Sequence, residues 1–87
     1  MQFVNIGFGN MVQVPRIMEM ITPDSAPAKR YVQRAKESGS LVDATQGRRT
    51  RGLLIMDDGS IVLSALLPET IAGRIDGIKG GAYDEER

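Results

Sequence analysis

Arg48, Arg49 and Arg51 stand within one short stretch, between Gly47 and Gly52. Three guanidiniums so close together repel one another, and leaving them in water gains little. A polyanion resolves the conflict, because arginine presents a planar fork of donors that matches a phosphate, often with two hydrogen bonds. Phosphate binding is the chemistry this segment suits best; a solvated loop tip is the plainer alternative. On an extended backbone Arg49 and Arg51 point to one side and Arg48 to the other. Gly47 permits the bend that brings all three together. A second basic run holds Lys29, Arg30, Arg34 and Lys36. It fits either a phosphate track or a solvated helix face, with Arg30 and Arg34 one helical turn apart.

Other chemistry is poorly supplied. The chain has no histidine and no cysteine. The commonest general base, the best nucleophile and the usual zinc ligands are therefore missing. Asp57-Asp58 is an adjacent acid pair of the kind that forms turns. Ser38, Ser40, Ser60 and Ser64 lack the strand-to-helix context of an activated nucleophile. Gly7-Phe8-Gly9-Asn10 begins like a dinucleotide fingerprint but lacks the third glycine and a following helix. The expectation is a protein that is not an enzyme and uses no cofactor or metal. Aromatics are few (Phe3, Phe8, Tyr31, Tyr83), so a platform for stacking single-stranded bases is thin.

The elements that must position the arginines can be read in order. Gln2 to Ile6 and Met11 to Val14 read as short strands around a turn at Gly7-Phe8-Gly9-Asn10. Pro15 interrupts the second, since a ladder position needs the amide that proline lacks. Arg16 to Ile21 alternates as a third strand, with Ile17, Glu19 and Ile21 on one face. Asp24 or Ser25 can cap a helix whose first turn suits Pro27. Ala28, Tyr31, Val32 and Ala35 recur at helical spacing, and Gly39 is placed to end that helix. Leu41 to Thr45 reads as a strand leading into the arginine loop. Asp58-Gly59 between Gly52–Met56 and Ile61–Leu67 signals a hairpin. Pro68-Glu69-Thr70 opens a second, short helix with Ile71, Ala72 and Ile75 as its stripe, ending at the glycines from Gly77 to Gly81. The fold class expected is α+β: a small antiparallel sheet of about five to six short strands with two helices. Residues 1–79 form one domain, and 80–87 form a flexible acidic tail.

The chain of 87 residues is small enough to need help. A domain of this size buries only roughly 60–65% of its unfolded surface, and without disulfides or zinc the common remedy is self-association. The hairpin strands are apolar without alternation, which implies cover on both faces. Two short helices can cover one face, so a second subunit is expected on the other; strands packed wholly inside their own small domain are the plainer alternative. Net charge is zero, yet Asp24 to Arg51 carries seven basic and three acidic residues, while the remainder carries four and eight. It is this asymmetry that reports on partners and reopens a nucleic-acid one, with a merely solvated surface as the alternative. No signal peptide or membrane-spanning run is visible, and the expected location is cytoplasmic, with no membrane partner.

Several stretches together resemble the RemA family of bacterial regulators of extracellular matrix (biofilm) genes. They are Phe3–Asn10, Pro23–Pro27, Glu37–Gly39, Leu41–Thr45, Gly47–Arg51 and Pro68–Thr70. The resemblance implies a homo-oligomer, an octameric ring, that binds double-stranded DNA and activates transcription. It implies that Arg48 and Arg49 contact DNA, and it links Arg16 and Pro27 to function. Arg16 would serve DNA or a subunit contact; Pro27 would shape the helix start. Arg51, Arg30 and Arg34 join the candidate DNA contacts by charge. Gly52, Gly59 and Pro15 depart from the family's pattern. Beside this reading stand two others: a structural or protein-interaction ring, and an RNA-binding module.

Overall fold

The structure of the protein, a computed structural model, describes residues 2–81. Strands β1 (Phe3–Asn5) and β2 (Met11–Gln13) form a two-stranded ribbon. A 3-10 turn at Val14–Arg16 absorbs Pro15 and leads into β3 (Ile17–Ile21). Helix α1 (Ala26–Ser38) follows, then β4 (Leu41–Asp43), β5 (Gly52–Met56), β6 (Ile61–Ser64) and helix α2 (Pro68–Gly81). The four later strands make a second sheet in the order β3-β5-β6-β4. The class is α+β with two helices. The single antiparallel sheet that was expected is corrected in two ways: there are two sheets, and β4 runs parallel to β6. The hairpin inserts β6 between β5 and β4, so the chain leaving β4 must bridge the end of β6 before it enters β5.

Helix α1 begins and ends on local chemistry. Ser25 caps it, its hydroxyl accepting from the Ala28 amide at 3.2 Å, and Pro27 lies in the first turn. Gly39 adopts φ +74°, which frees the Ser40 amide to bond the Ala35 carbonyl at 2.9 Å. This closing motif favours glycine because a side chain would strain there.

Both faces of the hairpin strands are covered within one chain. Leu53 and Ile61 pack with Ala28 and Ala35 under α1, joined by Ile21, Tyr31, Leu41, Ile55 and Leu63. Leu54, Met56 and Val62 pack on the opposite face with Val4, Ile6, Ala44 and Ile71. The β1–β2 ribbon and α2 thus form the layer that was expected from a second subunit. Continuous apolar runs implied two covered faces correctly, but the protomer supplies both.

Two further expectations are corrected. Ile17 and Ile21 do not share a face, because the register slips between Ile17 and Glu19. One extra residue, a bulge, reverses which side the following residues face. Ile17 therefore joins Met20 on the ribbon side, and Ile21 joins the α1 side. Helix α2 ends among the expected glycines, at Gly81, but it is not short. It continues through Gly73 and Gly77, with Ile71 fully buried and Ile75 and Ile78 packed behind it. Burial of that stripe outweighs the roughly 0.5–1 kcal/mol that each helical glycine costs. Gly80 and Gly81 of the expected tail belong to α2; residues 82–87, with the acids of that tail, lie outside the described residues.

Candidate nucleic-acid interface

The arginine loop, residues 44–51, is the bridge from β4 to β5 over the end of β6. Both its feet bind that end: the Ala44 amide donates to the Leu63 carbonyl at 2.9 Å and the Arg51 amide to the Ser64 carbonyl at 2.8 Å. Inside the loop, the Thr45 amide and hydroxyl donate to Asp43 Oδ1 at 2.9 and 2.6 Å. These bonds hold the Asp43 carboxyl below its usual range, the hydroxyl contributing most. Gln46 and Gly47 then take positive φ, +54° and +78°, and the Arg48 amide closes the turn on the Thr45 carbonyl at 2.9 Å. The bend that Gly47 was expected to permit is present.

Supports below the loop are buried. Ala44 and Thr45 are almost fully enclosed, and Ser64 is completely so. The Ser64 hydroxyl donates to the Ile6 carbonyl at 2.8 Å and accepts from the Leu66 amide at 3.0 Å. Asn10 reaches from the β1–β2 turn to the Ala44 carbonyl at 3.4 Å. Ribbon, sheet end and loop are thereby locked together.

Because of the bend, Arg48, Arg49 and Arg51 line one cleft of about 550 Å³. Arg74 of α2 joins them as a fourth guanidinium, with Asn5, Gly7, Phe8, Ala65 and Leu66 completing the walls. Among the described residues that line it there is no carboxylate. Arg74 is oriented by a hydrogen bond from Nη1 to the Asn5 carbonyl at 2.9 Å. The arginines at 48, 49 and 51 make no ion pair among the described residues. Arg49 and Arg51 also line a neighbouring cleft that includes Lys29 and Asp24. Lys29 belongs to the second basic run that the sequence offered as a phosphate track, whereas Arg74 is absent from the residues singled out by sequence. The one available signal for Arg74 was its place between Ile71 and Ile75, at the edge of the buried stripe.

The other candidates are not brought into this cleft. Arg16 lies at the opposite end of β5, a strand's length away at about 3.3 Å per residue. There its Nε meets Asp57 at 3.0 Å and its Nη2 meets Asp58 at 3.5 Å. The bond to Asp57 raises the Arg16 pKa, and Ser60 with Arg16 lowers that of Asp58. Arg30 and Arg34 share a small cleft with Pro27 and Tyr31 on the outer side of α1. No described helix is long and apolar enough to cross a membrane. Among the described residues no group of three metal-ligating side chains is found.

Comparison with known proteins agrees with the resemblance. A family model, RemA-like (extracellular matrix regulatory protein A-like), matches residues 3–75. A protein of Dictyoglomus thermophilum named as a regulatory protein is 61% identical over 86 residues, covering 99% of this chain and 98% of that one. Another so named, from Geobacillus kaustophilus, is 57% identical over 77 residues, 88% of each chain. With a family match across nearly all of the described fold, the chain belongs to the RemA-like family.

Proposed function

We propose that this protein is a transcriptional regulator that binds double-stranded DNA through the phosphate backbone. Arg48, Arg49 and Arg51 hold the phosphates, and the protein acts as a homo-oligomeric ring that activates extracellular matrix genes. The observation that carries the reading is the cleft: four guanidiniums from two elements converge where no described carboxylate neutralises them. Bringing that much like charge together costs free energy, which a bound polyanion offsets. Membership of a family of regulators supports the regulatory role. Each phosphate neutralised on duplex DNA contributes about −0.9 to the slope of log affinity against log salt. If each guanidinium of the cleft holds one phosphate, a protomer contributes a slope of about −3.6. A ring multiplies that electrostatic grip without new contacts of another kind. Arg16, Arg30 and Arg34 lie outside the cleft and meet DNA only along a path that wraps the molecule.

The test is a gel shift across a salt series, with the assembled mass measured by light scattering in the same buffers. Steep salt-dependent binding by an oligomer is expected. Replacing Arg48 and Arg49 together by Ala abolishes binding and leaves the mass unchanged. A well-assembled protein that ignores duplex DNA at low salt overturns the reading and points to an acidic protein partner.

A further inference from the structure

Phe8 is held in a conformation that a bulky side chain disfavours. Its φ is +55°, between Gly7 at +114° and Gly9 at +77°. Left-handed backbone at such a position suits glycine or asparagine and is an outlier for phenylalanine. Nothing in the core repays this. The residue is 53% exposed and belongs to neither apolar cluster. The turn that carries it is nevertheless tightly bonded. Asn5 Oδ1 accepts from the Gly7 amide at 2.8 Å, and the Asn10 amide and side chain both donate to the Gly7 carbonyl, at 3.0 and 2.9 Å. Asn10 also ties this turn to Ala44 at the foot of the arginine loop. The backbone beneath an aromatic ring is thus fixed, and the ring stands half in water on the wall of the cleft that holds the four guanidiniums.

Strained backbone of this kind concentrates where a ligand is gripped. On a duplex, what lies beside a phosphate is sugar and the edge of a base step, and the ring is the exposed large apolar group that the cleft offers it, Leu66 being packed against the core. We infer that Phe8 is a wedge that enters the duplex at a base step beside the phosphates held by the arginines. The inference rests on the DNA-binding reading of the cleft. Apolar side chains flanked by cations partly unstack such steps from the minor groove and kink the helix. Pyrimidine–purine steps yield most easily and A-tracts least. The protein therefore selects sites by deformability, through a contact that the arginines alone cannot supply.

Phe8→Asn tests this, because Asn tolerates the left-handed backbone and removes the ring. The probes are two duplexes of equal length and composition, one with a central TA step and one with a central A-tract, each carrying a fluorescent donor and acceptor at its ends. Wild type binds the TA duplex several-fold more tightly and shortens its end-to-end distance. In the variant the preference and the shortening are lost, while salt slope, assembled mass and Tm are kept or Tm rises. Phe8→Leu retains part of the preference. Preference and bending that survive in Phe8→Asn overturn the inference alone. A lost oligomer assigns the ring to a subunit contact and overturns it, and a lowered Tm assigns it to the fold and does the same. Wild type that fails to bind duplex DNA at any salt removes the DNA reading, and the wedge with it.

Discussion

Arg74 and Arg16 show why a charge count cannot substitute for position. Arg74 adds to an unneutralised cluster, whereas Arg16 is met by two acids at the hairpin tip. Replacing Arg74 by Ala is expected to make the salt slope of DNA binding shallower by about 0.9 per protomer. Replacing Arg16 by Ala leaves the slope as it is, and the same salt series checks both. Asp43 works one step behind the arginines, through its bonds to Thr45. Its folded carboxyl titrates below its unfolded value of about 3.9. The tie it makes is therefore complete above that value and is lost as pH falls through the lower folded one. Asp43→Ala is expected to loosen the loop and speed hydrogen exchange at the Thr45 amide near neutral pH, whereas Asp43→Asn keeps an acceptor and the slow exchange. At this scale the meeting of the loop arginines was legible, since Gly47 permits the bend that brings them into one cleft. Arg74 was not, because only the packing of α2 against β1 carries it to residues far away in sequence.

At the level of elements, legibility followed local chemistry. Helix α1 could be read because its cap, first-turn proline, apolar stripe and terminal glycine all act within a few residues. The hairpin could be read from Asp58-Gly59; Gly59, at φ +87°, closes a turn in which its amide donates to the Met56 carbonyl at 3.0 Å. The β3 bulge, the parallel β4–β6 pairing and the length of α2 depend on partners distant in the chain, and no local signal announced them. Gly52 illustrates the difference. The resemblance marks it as a departure from the family's expected pattern; in the structure a Cβ there would lie 2.6 Å from the Leu66 carbonyl oxygen. That oxygen is backbone and cannot swing away. Gly52→Ala is expected to cost about 1–3 kcal/mol, the usual range for forcing atoms into a filled space, measured by urea denaturation. A neutral result would mean that the β6–α2 connection shifts freely.

For the whole molecule, the central sheet lies between α1 on one side and the ribbon with α2 on the other. A protomer that covers its own sheet does not need a neighbour to finish its core. Diluting the protein until its mass is that of a single chain is expected to leave the far-ultraviolet circular dichroism unchanged; loss of signal on dilution would show that folding and assembly are one step. On the proposed function, self-association then serves the number of arginines presented to DNA rather than the stability of each copy. The bridge over β6 has a consequence of its own. Its feet stand on one strand end, two strand spacings apart at about 4.8 Å each, so the span is set by the sheet and not by the loop's own sequence. Residues between those feet can be exchanged, added or removed without re-registering a single strand. On the proposed function, the bridge is thus a place where selection, or an engineer, can retune how tightly and where a target is gripped while the same scaffold is kept.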